Sequence, residues 1–115
     1  MLSDRLAIPI QTRPRYASDL MASYVCAFSS ELFRVPGDGG WVFAVVPIEH
    51  APTVTVGWGR TPVHATVDGK SWATSVWREK SGRTLLAVPK RIRGAKDHMD
   101  TVEVRLEYDV VYRAR

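Results

Sequence analysis

Residues 59–77 read Gly-Arg-Thr-Pro-Val-His-Ala-Thr-Val-Asp-Gly-Lys-Ser-Trp-Ala-Thr-Ser-Val-Trp, and this stretch decides the fold. Polar and apolar residues alternate on both sides of Asp68-Gly69, as they do in strands that bury one face. An Asp-Gly pair between two such runs is a strong signal for a β-hairpin with a two-residue turn, because both turn positions need positive φ. The turn predicts the register of the hairpin, with Val67 opposite Lys70 and the other pairs following in order.

This register sorts the hairpin side chains into two faces. We expect the core face to carry Val63, Ala65, Val67, Trp72, Thr74 and Val76. The opposite face then carries His64, Thr66, Ser71, Ala73, Ser75 and Trp77. The two tryptophans of the hairpin therefore lie on opposite faces of the sheet.

Four further segments have the composition of strands: residues 24–33, 41–46, 84–88 and 101–112. The glycine-rich turn at residues 36–40, which includes Asp38, joins the first two into a predicted hairpin. Residues 41–46 are apolar at every position, which favours a central, buried strand. The connection at residues 47–59 predicts a helical turn at 48–51 and a short extra strand at 53–56, and residues 90–96 after Pro89 predict a short basic helix.

Short strands separated by frequent turn signals predict an all-β fold, a small closed or split barrel of about six to seven strands. We expect residues 1–22 to form an N-terminal arm and residues 23–115 to form the barrel domain. The interior is expected to be filled by large side chains: Phe28, Trp41, Phe43, Trp72, Leu86, Val104 and Leu106.

Composition and charge limit the classes of protein that fit the sequence. The single cysteine, Cys26, allows no internal disulfide and fits a reducing compartment. No apolar run reaches the roughly 20 residues of a membrane helix, and residues 1–19 lack the apolar core of a secretory signal. We therefore expect a cytoplasmic protein.

The basic residues concentrate between positions 78 and 96. This segment holds seven basic residues and one acidic residue, for a net charge of +6 against +4 for the whole chain. Such a patch can attract phosphates or acidic partners. The alternative is a solvated loop and helix face.

Three blocks of sequence resemble a known family. They are Phe-Ser-Ser-Glu-Leu-Phe at 28–33 with Trp-Val-Phe-Ala-Val-Val-Pro at 41–47, the hairpin at 63–77, and Leu-Leu-Ala-Val-Pro-Lys at 85–90 followed by residues 92–93 and 100–106. Over roughly residues 24–109 the chain resembles the bacterial domain of unknown function 1905. The resemblance implies a double-split β-barrel of the AbrB/MazE-like type, an architecture also found in DNA-binding proteins, and no settled activity.

The chain departs from this family pattern in three respects. Many members continue into a YdeI/OmpD-associated segment, whereas this sequence predicts a stand-alone domain. The connection at residues 48–58 is shorter than the helical connection usual in the family. Met99 stands where the family usually has a glycine in a tight turn.

No arrangement of residues in the sequence matches a catalytic or metal-binding motif. His50, His64 and His98 lie in different elements, and Cys26 is remote from them, so we expect no metal and no cofactor. Phosphate loops and nucleophile elbows are absent. We therefore expect a binding module rather than an enzyme.

A basic and aromatic surface is the strongest functional candidate, because cations beside aromatic rings bind anions and nucleic acids. We name eight candidate ligand or interface residues: Trp58, Arg60, His64, Trp77, Arg78, Lys90, Arg91 and Arg93. The leading hypothesis is a non-enzymatic module that binds a small ligand or a protein and forms a homo-oligomer, with Trp77 in an interface or under the N-terminal arm. One alternative is nucleic-acid binding through residues 78–96, and another is a small-molecule enzyme or cyclase that uses the barrel mouth near Trp58, Arg60 and His64.

Overall fold

A seven-stranded antiparallel sheet forms the protein, and the computed structural model describes residues 22–37 and 39–113. The strands in chain order are β1 (Ser23–Glu31), β2 (Phe33–Arg34), β3 (Val42–Val46), β4 (Arg60–Val67), β5 (Lys70–Arg78), β6 (Thr84–Ala87) and β7 (Thr101–Asp109). A short helix, α1 (Lys90–Arg93), and 3-10 turns at Ile48–His50, Gly57–Gly59 and Val110–Arg113 complete the described elements. The sheet order is β1-β7-β4-β5-β6-β3-β2. The predicted all-β fold is confirmed; the predicted arm lies outside the described residues except for Ala22.

The central hairpin has the predicted geometry. Asp68 and Gly69 have φ values of 47° and 88°, and Val67 pairs with Lys70. Asp68 also accepts a hydrogen bond from the backbone N–H of Glu103, which ties the turn to β7. The local pattern of alternation and turn residues was therefore sufficient to predict this part of the sheet.

The core lies on the concave face of the curved sheet. Its fully buried members come from five strands: Val42, Ala44, Val67, Val76, Leu86, Val102, Val104 and Leu106. Phe28 and Trp72 are partly buried against this core. The prediction that Trp41 and Phe43 fill the interior is wrong, since Trp41 is 60% exposed and Phe43 lies on the same face. Strand alternation points Val42 inward, so Trp41 and Phe43 lie on the outer face, where their rings stack.

The first strand changes partners at Leu32, and this change closes the sheet into a half-barrel. β1 pairs with β7 along its whole length, whereas β2 pairs with β3 through Phe33 and Arg34. The predicted hairpin between the first two strands is therefore only two residue pairs long. Two residues before Leu32, the Ser30 hydroxyl donates to the carbonyl of Val45 and accepts from the N–H of Val45. This one side chain therefore bridges β1 and β3.

A cluster of side chains ties the turn at Ile48–His50 to the end of the barrel. Tyr24 Oη lies 2.7 Å from Nδ1 of His50, and Tyr108 Oη donates to the His50 carbonyl at 2.7 Å. Arg113 donates to the Ala51 carbonyl and lies over the Tyr24 ring. Burial raises the pKa of the Tyr108 phenol. Each donor in the cluster satisfies an atom of residues 50–51, so we interpret the cluster as structural.

The connection between β3 and β4 follows the prediction only in part. The expected helical turn is present, but residues 53–56 form no strand and contribute one isolated bridge, from Val56 to Arg60. The backbone N–H groups of Thr53 and Val54 instead donate to the carbonyl of Tyr112. Trp58, which is 90% exposed, has a φ of 68° in the left-handed region.

Met99 occupies the turn before β7 with a φ of 77°, in the left-handed region that favours glycine. Its N–H donates to the carbonyl of Leu32, and the N–H of Leu32 donates to the carbonyl of Asp100. The turn is thus held in place by the residue at which β1 gives way to β2. No described helix is long and apolar enough to cross a membrane.

A buried hydroxyl at Thr61 gives a stability prediction. The Thr61 side chain is 0% exposed, and its Oγ1 makes no hydrogen bond within the described residues. A buried hydroxyl without a partner is costly, so Thr61→Val is expected to raise the free energy of unfolding by about 1 kcal/mol. The measurement is urea unfolding at neutral pH.

The matched control for this prediction is Thr66→Val on the same strand. Thr66 Oγ1 lies 2.7 Å from the Ser71 hydroxyl, so this substitution removes a hydrogen bond that is made. It should leave the protein unchanged or less stable. Equal stabilisation by both substitutions would mean that β-propensity, and not the unpaired hydroxyl, sets the effect.

Candidate ligand-binding cleft

A cleft opens where β5 and β6 separate. β5 pairs with β4 from Lys70 to Trp77 but with β6 only at Val76, Trp77 and Arg78. Before Val76, β5 runs beside β4 alone, while the chain after β6 leads through Pro89 into α1. The gap between these two stretches contains the inward-facing side chains of Trp72 and Thr74.

The chain after β6 leaves the sheet because of its sequence. Val88 makes one last backbone hydrogen bond, to the carbonyl of Val42. Pro89 has no N–H and cannot extend the ladder, and it caps the start of α1. Ile92 is buried and anchors this short helix on the core, while Gly94 ends it with a φ of 62°.

The opposite wall of the cleft is the segment Gly39–Gly40–Trp41, and Arg34 braces it. The Arg34 guanidinium donates from Nη1 to the carbonyl of Gly40 at 2.8 Å. The same group makes a two-point contact with Asp97, from Nε at 3.0 Å and from Nη2 at 2.8 Å. Arg34 therefore links the wall of the cleft to the loop that follows α1.

The cleft has a volume of about 340 Å³, within the range of small-molecule sites. Two tryptophans and two cationic side chains give it its chemistry. Its lining consists of Gly39, Gly40, Trp41, Val42, Trp72, Thr74, Ala87, Val88, Pro89, Lys90 and Arg93. The described lining contains no histidine, cysteine or carboxylate.

Arg93 is the more constrained of the two cations. Its Nη1 donates to the carbonyl of Val88 at 3.2 Å, which holds the side chain across the start of α1. Its Nε is buried and has no hydrogen-bond partner within the described residues. Lys90 is exposed at the rim. A ligand carboxylate near these groups would meet one fixed cation and one mobile cation.

The Arg34–Asp97 pair gives a pH prediction. Hydrogen bonds from Arg34, and then from the N–H of His98, lower the pKa of Asp97 from 3.8 to about 2. Because the pKa is lower in the folded protein, the carboxylate contributes stability above about pH 4, and this contribution is lost as the pH falls towards 2. Melting temperatures of the wild-type protein and Asp97→Asn should therefore differ at pH 6 and converge towards pH 2.

Thr66→Val, which changes no titratable group, provides the comparison and should keep a constant offset from the wild-type protein between pH 6 and pH 2. A constant offset between wild type and Asp97→Asn from pH 6 to pH 2 would contradict the assignment of the acid-sensitive contribution to Asp97.

The sequence that forms the cleft matches the model of one protein family. The profile described as "Domain of unknown function (DUF1905)" matches residues 28–106, which is more than half of the chain. The chain belongs to the DUF1905 family. No curated protein matches the sequence.

The DUF1905 match contains every residue that lines the cleft. It excludes Tyr24, Tyr108 and Arg113, which belong to the cluster at the barrel end. The cleft therefore lies wholly within the matched part of the chain. The cluster at the barrel end, in contrast, includes residues that come before and after the matched part.

The eight candidate residues predicted from the sequence do not form one surface in this DUF1905 protein. Arg60 lies over the Trp77 ring, with its Cζ 5.9 Å from the ring centroid, and His64 shares the outer face of β4 with Arg60. Trp58 lies in the turn before Arg60. These residues form an outer group, whereas Lys90 and Arg93 line the cleft.

Arg78 and Arg91 belong to neither place. Strand alternation puts Arg78 on the face opposite Trp77, and its guanidinium donates to the carbonyl of Pro52. Arg91 is exposed on α1 and does not line the cleft. Because successive side chains of a strand point to opposite faces, Trp77 and Arg78 do not form the predicted group.

Among the described contacts, two of the seven basic residues at 78–96 form ion pairs with carboxylates of the protein. Arg83 pairs with Glu79 and lies over the ring of Phe33. Lys96 pairs with Asp68 at 2.9 Å, and this contact, after the N–H of Glu103, lowers the pKa of Asp68. These contacts reduce the charge that the segment presents to an anionic polymer.

Sequence reasoning missed Trp41, Trp72 and Thr74 as site residues of the DUF1905 domain. All three were assigned to the interior, because alternation reports which face a residue occupies and not where two strands separate. The local signals that could have pointed to the cleft are Gly39-Gly40 before Trp41 and Pro89 directly after a strand. Within the described residues no group of histidine, cysteine and acidic side chains could hold a metal ion.

Proposed function

We propose that this protein is a non-enzymatic binding module of the bacterial cytoplasm that binds a small organic anion with a flat, apolar body. The observation that carries the proposal is the cleft between β5 and β6, which brings two indole rings and two cations around about 340 Å³. The buried, unpaired Cys26 supports a reducing compartment.

The chemistry of the cleft favours this class of ligand. Trp72 is partly buried against the core, which gives it a fixed orientation, and Trp41 is held by its stack on Phe43. Two positioned rings offer large apolar contact at a low entropic cost. Lys90 and Arg93 supply the charge for a carboxylate, since hydrogen bonds from charged donors are stronger than neutral ones.

The experiment uses naphthoate as the probe and measures quenching of tryptophan fluorescence together with calorimetry. Naphthoate is expected to bind at a single site and to bind about tenfold more tightly than the neutral naphthalenemethanol, because the alcohol lacks the charge. Lys90→Glu should weaken naphthoate binding about tenfold. Lys80→Glu, outside the cleft, should leave it unchanged.

A matched pair of tryptophan substitutions locates the site. Trp72→Ala and Trp77→Ala make the same change on opposite faces of β5. Only Trp72→Ala is expected to weaken the binding of naphthoate, by about tenfold. No binding of naphthoate at millimolar concentration, or equal losses in both variants, would contradict the proposal.

Self-association is a second candidate function, and one specific observation favours it. The outer faces of β2, β3 and β6 carry apolar side chains, and Trp77 of β5 adjoins them through its pairing with Leu85, whereas the outer face of β7 is charged. We define the outer apolar surface by its members Phe33, Trp41, Phe43, Val45 and Trp77. Trp77 is 42% exposed, which is unusual for so large an apolar group.

Light scattering after size-exclusion chromatography tests this candidate. A homo-oligomer that uses the outer apolar surface should dissociate to monomers in Trp77→Asp. Lys80→Glu, which changes a charge elsewhere on the surface, should keep the wild-type mass. A wild-type monomer at concentrations near 1 mM would contradict self-association and would leave the cleft proposal untouched.

A further inference from the structure

The edge of β5 that borders the cleft has backbone groups with no strand beside them. In a hairpin with a two-residue turn, Val67 and Lys70 exchange both backbone hydrogen bonds, so every second residue of β5 faces β4. The N–H and C=O groups of Ser71, Ala73 and Ser75 therefore point the other way, towards the cleft. Within residues 22–37 and 39–113 no strand pairs with them, because β6 starts to pair only at Val76.

This edge lacks the features that usually protect a strand from pairing. Natural edge strands carry prolines, bulges or several charged side chains, whereas Ser71, Ala73 and Ser75 have small uncharged side chains. Within β5, Lys70 at the turn is the only charged residue before Arg78. Within the described residues, the side chains of Ser71, Ala73 and Ser75 therefore offer neither bulk nor charge against a second strand at this edge.

We infer that the ligand of the cleft is an extended peptide that adds a strand to β5 and places its terminal carboxylate near Lys90 and Arg93. The inference rests on the proposed function and names the ligand class for the same site. A small anion would leave the backbone groups of three β5 residues to hydrogen-bond with solvent, whereas a peptide strand supplies a donor and an acceptor for each of them.

The alternation of side chains along a bound strand would also bring every second peptide side chain to the tryptophans of the cleft. Residues of a bound peptide that lie opposite Trp72 and Thr74 share their face and project into the cleft. An aromatic or branched side chain at such a position would pack against Trp72, with Trp41 at the rim of the cleft. The neighbouring peptide residues would pair with Ser71, Ala73 and Ser75 and project outward, where any residue fits.

The experiment uses the peptide acetyl-Thr-Val-Thr-Phe-Val with a free carboxylate, two N-methylated versions and the C-terminal amide. In one version the backbone nitrogens of alternate residues are methylated, and in the other version those of the remaining residues are methylated. Only one of the two versions therefore blocks the N–H groups that face β5. That version is expected to bind at least tenfold more weakly than the parent peptide, and the other is expected to stay within about twofold. The amide is expected to lose about tenfold.

The protein side of the test separates this inference from the proposed function. Naphthoate should compete with the peptide, and Trp72→Ala should weaken both, whereas Trp77→Ala should weaken neither. If naphthoate binds in the cleft but both N-methylated peptides bind like the parent, the strand-addition inference is overturned and the small-anion site remains. If the peptide binds with the expected pattern and naphthoate does not bind, the inference stands and the small-anion proposal fails.

Discussion

Leu106→Ala is expected to lower the free energy of unfolding by about 2–5 kcal/mol, the largest effect of any substitution considered for this protein. Leu106 is 0% exposed at the centre of β7, where it pairs with Cys26 on one side and with Ala65 on the other. Both neighbours are small, so the cavity left by the substitution cannot be filled by a larger adjacent side chain. Urea unfolding followed by tryptophan fluorescence measures the change.

Val25→Ala is the comparison, since Val25 lies on β1 beside β7 but projects to solvent with 47% exposure. Removing two methyl groups there should change stability by no more than about 0.5 kcal/mol. A loss of less than 1 kcal/mol in Leu106→Ala would contradict the position of the core on this face of β7.

Gly59→Ala is expected to cost at least about 2 kcal/mol through two separate effects. Gly59 has a φ of 71°, where an alanine is strained, and a Cβ at this position would lie 2.8 Å from the backbone carbonyl oxygen of Arg78. That oxygen belongs to the end of β5 and cannot rotate away as a side chain could. Either the turn at Gly57–Gly59 or the end of β5 must shift.

Gly57→Ala makes the same change two residues earlier and serves as the control. Nothing lies within 4 Å of a Cβ at Gly57, and its backbone is outside the left-handed region. We expect a change within about 0.5 kcal/mol. Similar melting temperatures for the two variants would show that the contact between Gly59 and Arg78 does not constrain the fold.

The hairpin could be predicted in detail because its information is local. Asp68-Gly69 determines the turn, the turn determines the register, and the register determines that Trp72 and Trp77 lie on opposite faces. The strand at residues 101–112 was equally readable, since charged and apolar residues alternate along it. In the structure this strand ends at Asp109, and Val110–Arg113 form a 3-10 segment.

The cleft could not be predicted in the same way, because it arises from a relation between segments. Nothing in residues 70–75 indicates that they lack a neighbour on one side. That depends on Pro89, which follows β6, and on Arg34, which ties the Gly39–Gly40–Trp41 wall to the distant Asp97. Trp41 was misplaced for a related reason: a strand apolar at every position carries no signal about which face is the core.

The partner change at Leu32 has a consequence for how the chain reaches its native state. β1 is the first described strand to leave the ribosome, and its ladder partner β7 is among the last, since Ser23 pairs with Asp109. The hairpin of β4 and β5 can form early from neighbouring residues, whereas β1 has to wait for almost the entire chain. Sheets that depend on such distant pairings fold slowly. During synthesis, β1 is therefore the described strand that waits longest for its ladder partner.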